Sequence, residues 1–275
     1  MRCIGLALLA VLGVATAAAQ ATTRIDARLS DAVPGHPGVT YEALLKQIAP
    51  DLAKGEGDVW TTAGIKGLRD PDGEPDEGGP ASFDDVSTLE IASGGKSVLL
   101  MMAPDAEGNG FLSILGAFDM SAPTPALIDY VNAGMDRTTS LGTTVPLAKG
   151  TDAITVTGWH NNSNESYNTL QVVMLHDGKL ASVLYTGTYS LLICGMRVEQ
   201  QGELTAGGPE PSSPYVPLIY TVTQTVERSD EDCGEGGMEL LPAGTLTARD
   251  VFHWDAASAR FVSQTNELGK LMGPE

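Results

Sequence analysis

The sequence predicts a mainly β protein of antiparallel repeated meanders, propeller-like or packed as a sandwich, with one short N-terminal helix. Two patterns carry that prediction. From Val86 onward, short runs rich in Val, Ile, Leu, Thr and Tyr are separated by Gly, Pro, Asp and Asn, the mark of many strands joined by tight turns. Three stretches also share one plan: strand, polar loop, strand ending in an aromatic ring or histidine followed by aspartate, turn, strand. The aspartates are Asp119 after Phe118, Asp177 after His176 and Asp255 after Trp254, a loose repeat that favours stacked or radially arranged meanders.

The first element is a leader. Met1 and Arg2, an apolar run from Ile4 to Ala15, then Ala17-Ala18-Ala19-Gln20-Ala21 read as a signal peptide over 1–21, cut after Ala19 or Ala21. The expected destination is periplasmic or secreted. The run is shorter than the roughly 20 residues a transmembrane helix needs, and no later stretch is long enough, so no membrane span is expected. Cys3 precedes the apolar run and is discarded with it, so the product should be free and soluble, without a lipid anchor.

Residues 22–275 then form a single β-rich domain, since β architectures reach this size undivided. Its lead-in, 22–58, holds the helix: Tyr41, Leu44, Leu45 and Ile48 fall at i, i+3, i+4 and i+7. Thr40 can cap it, Glu42 suits the positive end of the helix dipole, and Pro50 bars continuation past Ala49. The stretch 70–80, acidic and apolar only in its prolines, should be an exposed loop. Strands are predicted at 59–66, 86–92, 97–102, 111–118, 126–132, 138–147, 153–160, 168–175, 180–189, 192–204, 216–227, 244–254 and 260–265. Asp177-Gly178 fits a two-residue type I′ hairpin turn. Met101, Met102 and Met174 lie in apolar runs and should fill core gaps, while Trp60, Tyr185, Tyr189 and Tyr220 fit strand propensity alone.

Without Cys3, Cys194 and Cys233 are the only cysteines, and in an export compartment they are expected to form a disulfide. Loss of Arg2 leaves 15 basic against 35 acidic residues, a net charge of 15 − 35 = −20. Such a surface repels phosphate backbones and anionic membranes, so nucleic acid is excluded as an expected partner, and polysaccharide or a basic protein fits better.

Two patches bear chemistry. Trp159-His160-Asn161-Asn162-Ser163-Asn164-Glu165-Ser166-Tyr167 is a dense run of hydrogen-bonding groups between aromatic rings. Sugars suit such a mix, with rings stacking on apolar faces and amides reading hydroxyls, so Trp159, His160, Asn161, Asn162, Asn164 and Tyr167 are the candidate ligand-binding residues. Alternation puts His160 on one strand face with Ile154 and Val156, and Trp159 on the other with Thr155 and Thr157. Asp105-Ala106-Glu107-Gly108-Asn109-Gly110 sets oxygen ligands at alternate positions before a glycine, as a calcium loop does. Asp105, Glu107 and Asn109 are thus the candidate metal ligands. Asp70, Asp72 and Asp76 around Gly73 form a second approximation, and Asp230 with Asp232 a third. Carried by Asp105, Glu107, Asn109 and Gly110, residues 97–132 resemble the FG-GAP and VCBS type of exported bacterial β-repeat proteins. That resemblance implies calcium in the loops between strands and no other cofactor.

No catalytic residue is nominated. His36, His160, His176 and His253 are the four histidines, and the chain contains neither a G-x-S-x-G elbow nor an H-E-x-x-H zinc helix. The expected function is therefore an exported, acidic, non-enzymatic binding or scaffolding module. The alternative is an extracytoplasmic hydrolase acting on polysaccharide or cell-wall material, with His160 and nearby acids in a cleft.

Overall fold

A computed structural model describes residues 23–107, 111–136, 138–193, 195–228 and 241–271. The helix forms where the apolar period places it. Helix α1 (Tyr41–Ile48) buries Tyr41, Leu44, Leu45 and Ile48, and the Thr40 side chain accepts a hydrogen bond from the Ala43 N–H. Two short strands lie in the lead-in as well, β1 (Ile25–Arg28) and β2 (Ala53–Lys54). Their brevity hides them from any periodicity argument.

The strands of the described residues pair antiparallel throughout. Strand β1 joins β5 (Asp85–Ser93), β6 (Lys96–Pro104), β7 (Ser113–Asp119) and β8 (Ala126–Asn132) in a five-stranded sheet of order β1-β5-β6-β7-β8. Strand β2 joins β3 (Trp60–Thr62) and β4 (Ala81–Phe83) in a small three-stranded one. The rest is a single meander in which sequence neighbours are sheet neighbours: β9 (Thr138–Ala148), β10 (Thr151–Asn161), β11 (Glu165–His176), β12 (Lys179–Ile193), β13 (Met196–Ala206), β14 (Leu218–Arg228), β15 (Gly244–Asp255) and β16 (Arg260–Ser263). The strands stack as sheets instead of radiating as blades, so of the two expected arrangements the sandwich is the compatible one.

Three apolar layers hold the sheets together, and a fourth, smaller cluster of Tyr189, Leu191, Met196, Val198 and Val226 lies within the long meander. Helix α1 and the small sheet pack Leu44, Leu45 and Phe83 against Met101, Ile114 and Phe118 of the five-stranded sheet. Its other face packs Leu100, Met102 and Leu115 against Ile154, Val156 and Val173 of the long meander. Strand β6 is therefore covered on both sides, which is why Val98-Leu99-Leu100-Met101-Met102 is continuously apolar where a half-buried strand would alternate. The third layer sets Val172, Met174 and Leu184 of the first half of the meander against Tyr220, Val222, Phe252 and Phe261 of the second.

Turns follow local chemistry. Asp177 and Gly178 both take positive φ (50° and 76°), as a type I′ turn between β11 and β12 requires. Asp119 and Asp255 hold their turns by accepting from the N–H of Ser121 and of Ala257 and Ser258. The Ser121 and Ser258 side chains first, and these backbone bonds second, keep both carboxyls below the usual range. The predicted strand 192–204 is a correction: β12 ends at Ile193 and β13 starts at Met196, with Gly195 at φ 74° in the turn between them. The 70–80 segment is exposed from Asp72 to Pro75 yet anchored: the Pro71 carbonyl accepts from the Ser182 N–H, Asp72 pairs with Arg260, and Asp76 accepts from the Asn132 amide.

Candidate functional site

The meander opens in its middle. Strands β12 and β13 are registered over three pairs, Leu191 with Val198, Leu192 with Arg197 and Ile193 with Met196. Past these the Tyr189 N–H donates to the Gln200 side-chain oxygen at 2.9 Å, and the Gln200 amide donates on to Gln224 at 2.9 Å. Side chains replace the backbone ladder where the two halves of the sheet part.

A cleft of about 730 Å³ lies at this parting. It touches five consecutive residues of β12, Tyr185 to Tyr189. Successive strand residues point to opposite faces, so a cleft meeting all five runs along the edge of the strand. Tyr167, Thr169, Tyr185 and Tyr189 supply rings and hydroxyls; Met135 and Asp136, in the connector from β8 to β9, wall one side, and Val222, Leu268 and Leu271 the other.

The tyrosines are held in place from below. Tyr167 on β11 sits opposite His160 on β10 and Tyr189 on β12. Ring centroids lie 5.8 Å apart for His160 and Tyr167 and 5.3 Å for Tyr167 and Tyr189, both pairs tilted. Glu165, two residues before Tyr167 and so on its face, accepts from both phenols: from the Tyr167 hydroxyl in a short bond and from the Tyr189 hydroxyl at 3.1 Å. The hydrogen bond to Glu165, with burial second, raises the Tyr167 phenol above its ordinary value.

His160 is a bracket between this network and the connector. Its Nδ1 lies 2.8 Å from an Asp136 carboxylate oxygen and its Nε2 2.9 Å from the Asn162 side-chain oxygen. Gly158 makes the approach feasible: a Cβ there would stand 2.6 Å from the Thr169 hydroxyl and 2.9 Å from the Met135 Cβ, so only glycine lets the connector rest on the sheet. The opposite wall is tied by Asp250, which is 3% exposed and accepts from the Thr265 hydroxyl (2.6 Å) and the N–H groups of Glu267 (3.1 Å) and Leu268 (3.4 Å). Burial works against the Asp250 charge, but these hydrogen bonds together outweigh it and lower its pKa.

Of the six predicted ligand-binding residues, only Tyr167 lines this cleft. His160 and Asn162 brace it from behind. Trp159 points to the opposite strand face, 45% exposed. Asn161 and Asn164 border a separate hollow of about 370 Å³ at the hairpin tip, with Arg197 and Glu199. There the Asn164 carbonyl accepts from the Leu192 N–H, and the Asn161 amide, with its nitrogen turned inward, donates to the carbonyls of Asn162 and Glu165. Sequence reasoning passed over Tyr185 and Tyr189. The findable signal was Tyr185, Gly187 and Tyr189 at alternate positions, two rings on one strand face with a gap between them.

The other candidates lie elsewhere. The Asp105 carboxylate turns to β4, accepting from the Ser82 N–H (2.9 Å) and hydroxyl (3.1 Å). Glu107 is exposed, and Asn109 lies outside the described residues, as do Asp230, Asp232, Cys194 and Cys233. Among the described residues no three acidic, histidine or cysteine side chains come together as metal ligands. His36 meets the Pro123 carbonyl, His253 pairs with Glu210, and His176 packs against the Trp254 ring, so the four histidines are distributed over four separate settings. No helix among the described residues is long and apolar enough to cross a membrane. No protein-family model, curated protein or solved structure matches this chain.

Proposed function

We propose that this chain is an exported, non-enzymatic module that binds an uncharged, ring-bearing, hydroxylated ligand, a sugar in the simplest case, in the cleft along β12. One observation carries the reading: Glu165 fixes two phenols at the cleft, so Tyr167 and Tyr189 stand ready before any ligand arrives. Aromatic side chains fixed in advance lose little conformational freedom on binding, which leaves more of the contact energy as affinity. Thr169 and Gln200 add neutral polar groups at the same wall. The hydrolase alternative would ask His160 to act as acid or base, but both of its ring nitrogens already meet oxygens of the protein.

Calorimetric titration of the purified chain with neutral mono- and oligosaccharides tests this. At least one should bind, and Tyr189→Ala should abolish the heat. An absence of heat across glucose-, galactose-, mannose- and N-acetylglucosamine-based ligands rules the reading out.

A further inference from the structure

We propose that the strand face bearing Trp159, which borders the tyrosine cleft at Asn168 and Thr188, is a second binding surface, a platform for an uncharged polysaccharide chain. Register places Thr138, Trp159, Asn168 and Thr188 in one row across β9, β10, β11 and β12, with Asn161 and Ser166 in the row beside it. Nearer the middle of the same strands this face carries Ala153, Val172 and Met174 into the third apolar layer. It leaves that layer at Trp159, which is 45% exposed.

Charge is the first argument for the occupant. From Ser140 across to Ser190 every residue that register places on this face is a hydroxyl, an amide, Trp or Leu, with no charge, in a chain whose formal net charge is −19. An anionic polymer would be repelled by the rest of the surface; the carboxylate that borders this face, Glu199 on β13, is already paired with Arg197, so a cationic partner would have to displace that bond. A neutral hydroxylated chain meets neither obstacle. Its ring faces can lie on the indole, and its hydroxyls find both donors and acceptors in Thr138 and Asn168. Four strands about 4.8 Å apart give a row roughly 14 Å long, room for more than one sugar ring.

Apolar area is the second argument. Trp159, the half-buried Leu170 and, at the hairpin tip, Leu192 at 39% exposure are the large apolar groups of this face, and they do not form one continuous patch by register. Stable contacts between copies of a chain have a more apolar centre than that.

The platform does not depend on the cleft reading, and the two fail separately. Electrophoresis of the full chain through native gels containing soluble starch, galactomannan, glucomannan or hydroxyethyl cellulose reads it directly. At least one polymer should retard the wild type, Trp159→Ala should cut the retardation at least fivefold, and Trp159→Phe should restore part of it. Binding should also shift tryptophan emission to the blue. Trp159 is the reporter, because Trp60 is buried and Trp254 is packed between Tyr215 and Phe261. Circular dichroism and light scattering confirm that each variant is folded and of unchanged mass. Three results overturn the proposal: no retardation in any gel, equal retardation of a folded Trp159→Ala, or a change in oligomeric mass on that substitution, which would make the face a contact between copies.

Discussion

The two ends of β10 and β11 share a register, a face and a sheet, and differ in what covers them. At one end Ile154, Val156 and Val173 are wholly buried against the five-stranded sheet. At the other end the same face carries His160, Glu165 and Tyr167, which meet a short connector and the opened edge of β12. The first end is apolar but for Gln171 and Ser182, whose buried side-chain oxygens have no hydrogen-bond partner among the described residues. The second is aromatic and hydrogen-bonded because a strand face that runs past its covering layer must keep its order without a dry core. A single long hairpin thus serves as scaffold at one end and as site at the other.

Substitutions should separate the two ends. Ile154→Ala, at the scaffold end, should cost about 3 kcal/mol of stability in denaturant melts, and ligand binding by the folded fraction should be unchanged. Asp250→Asn should cost less, about 1–2 kcal/mol, by loosening the segment that carries Leu268. The Asp250 carboxyl titrates lower in the folded chain than in the unfolded one. Its contribution is therefore full above the unfolded value of about 3.9 and is lost as pH falls through the folded one. Acid melts of Asp250→Asn should accordingly show a shallower decline below that value than the wild type does. Glu165→Gln should act mainly on binding, raising Kd about tenfold by releasing the two phenols. Ultraviolet titration of that variant should show one tyrosine ionising at lower pH than in the wild type, because the bond that raises Tyr167 is gone. The smallest effect belongs to Trp159→Ala, an exposed position where stability should stay within about 0.5 kcal/mol. A large loss there would mean that the Trp159 face is structural.

Much of this fold was legible because it rests on short-range rules. The α1 period, the Asp177-Gly178 turn and the β6 apolar run each follow from a few adjacent residues. What stayed hidden depends on distance. The break in 192–204 is made by a turn that an apolar run conceals, and β1 is held by pairing with a strand some sixty residues later. The site was half legible for the same reason: the Trp159–Tyr167 run is contiguous and chemically dense, so it drew attention as one patch. The strand pleat then divides it between two faces, and the hairpin turns Asn161 and Asn164 toward its own tip. Tyr185 and Tyr189 looked like ordinary strand residues because the parting of β12 from β13, and for Tyr189 its partner Glu165, lie across ladders that only the register discloses.

The central claim is that the tyrosines along β12 contact ligand. Ring-labelled tyrosine NMR during titration with neutral oligosaccharides reads it residue by residue. Tyr167 and the exposed Tyr185 should shift and saturate with one Kd, with Tyr189, 5% exposed at the cleft wall, following them, while Tyr41 and Tyr220, away from the cleft, stay in place. Saturable binding that leaves those three signals unmoved would contradict the account.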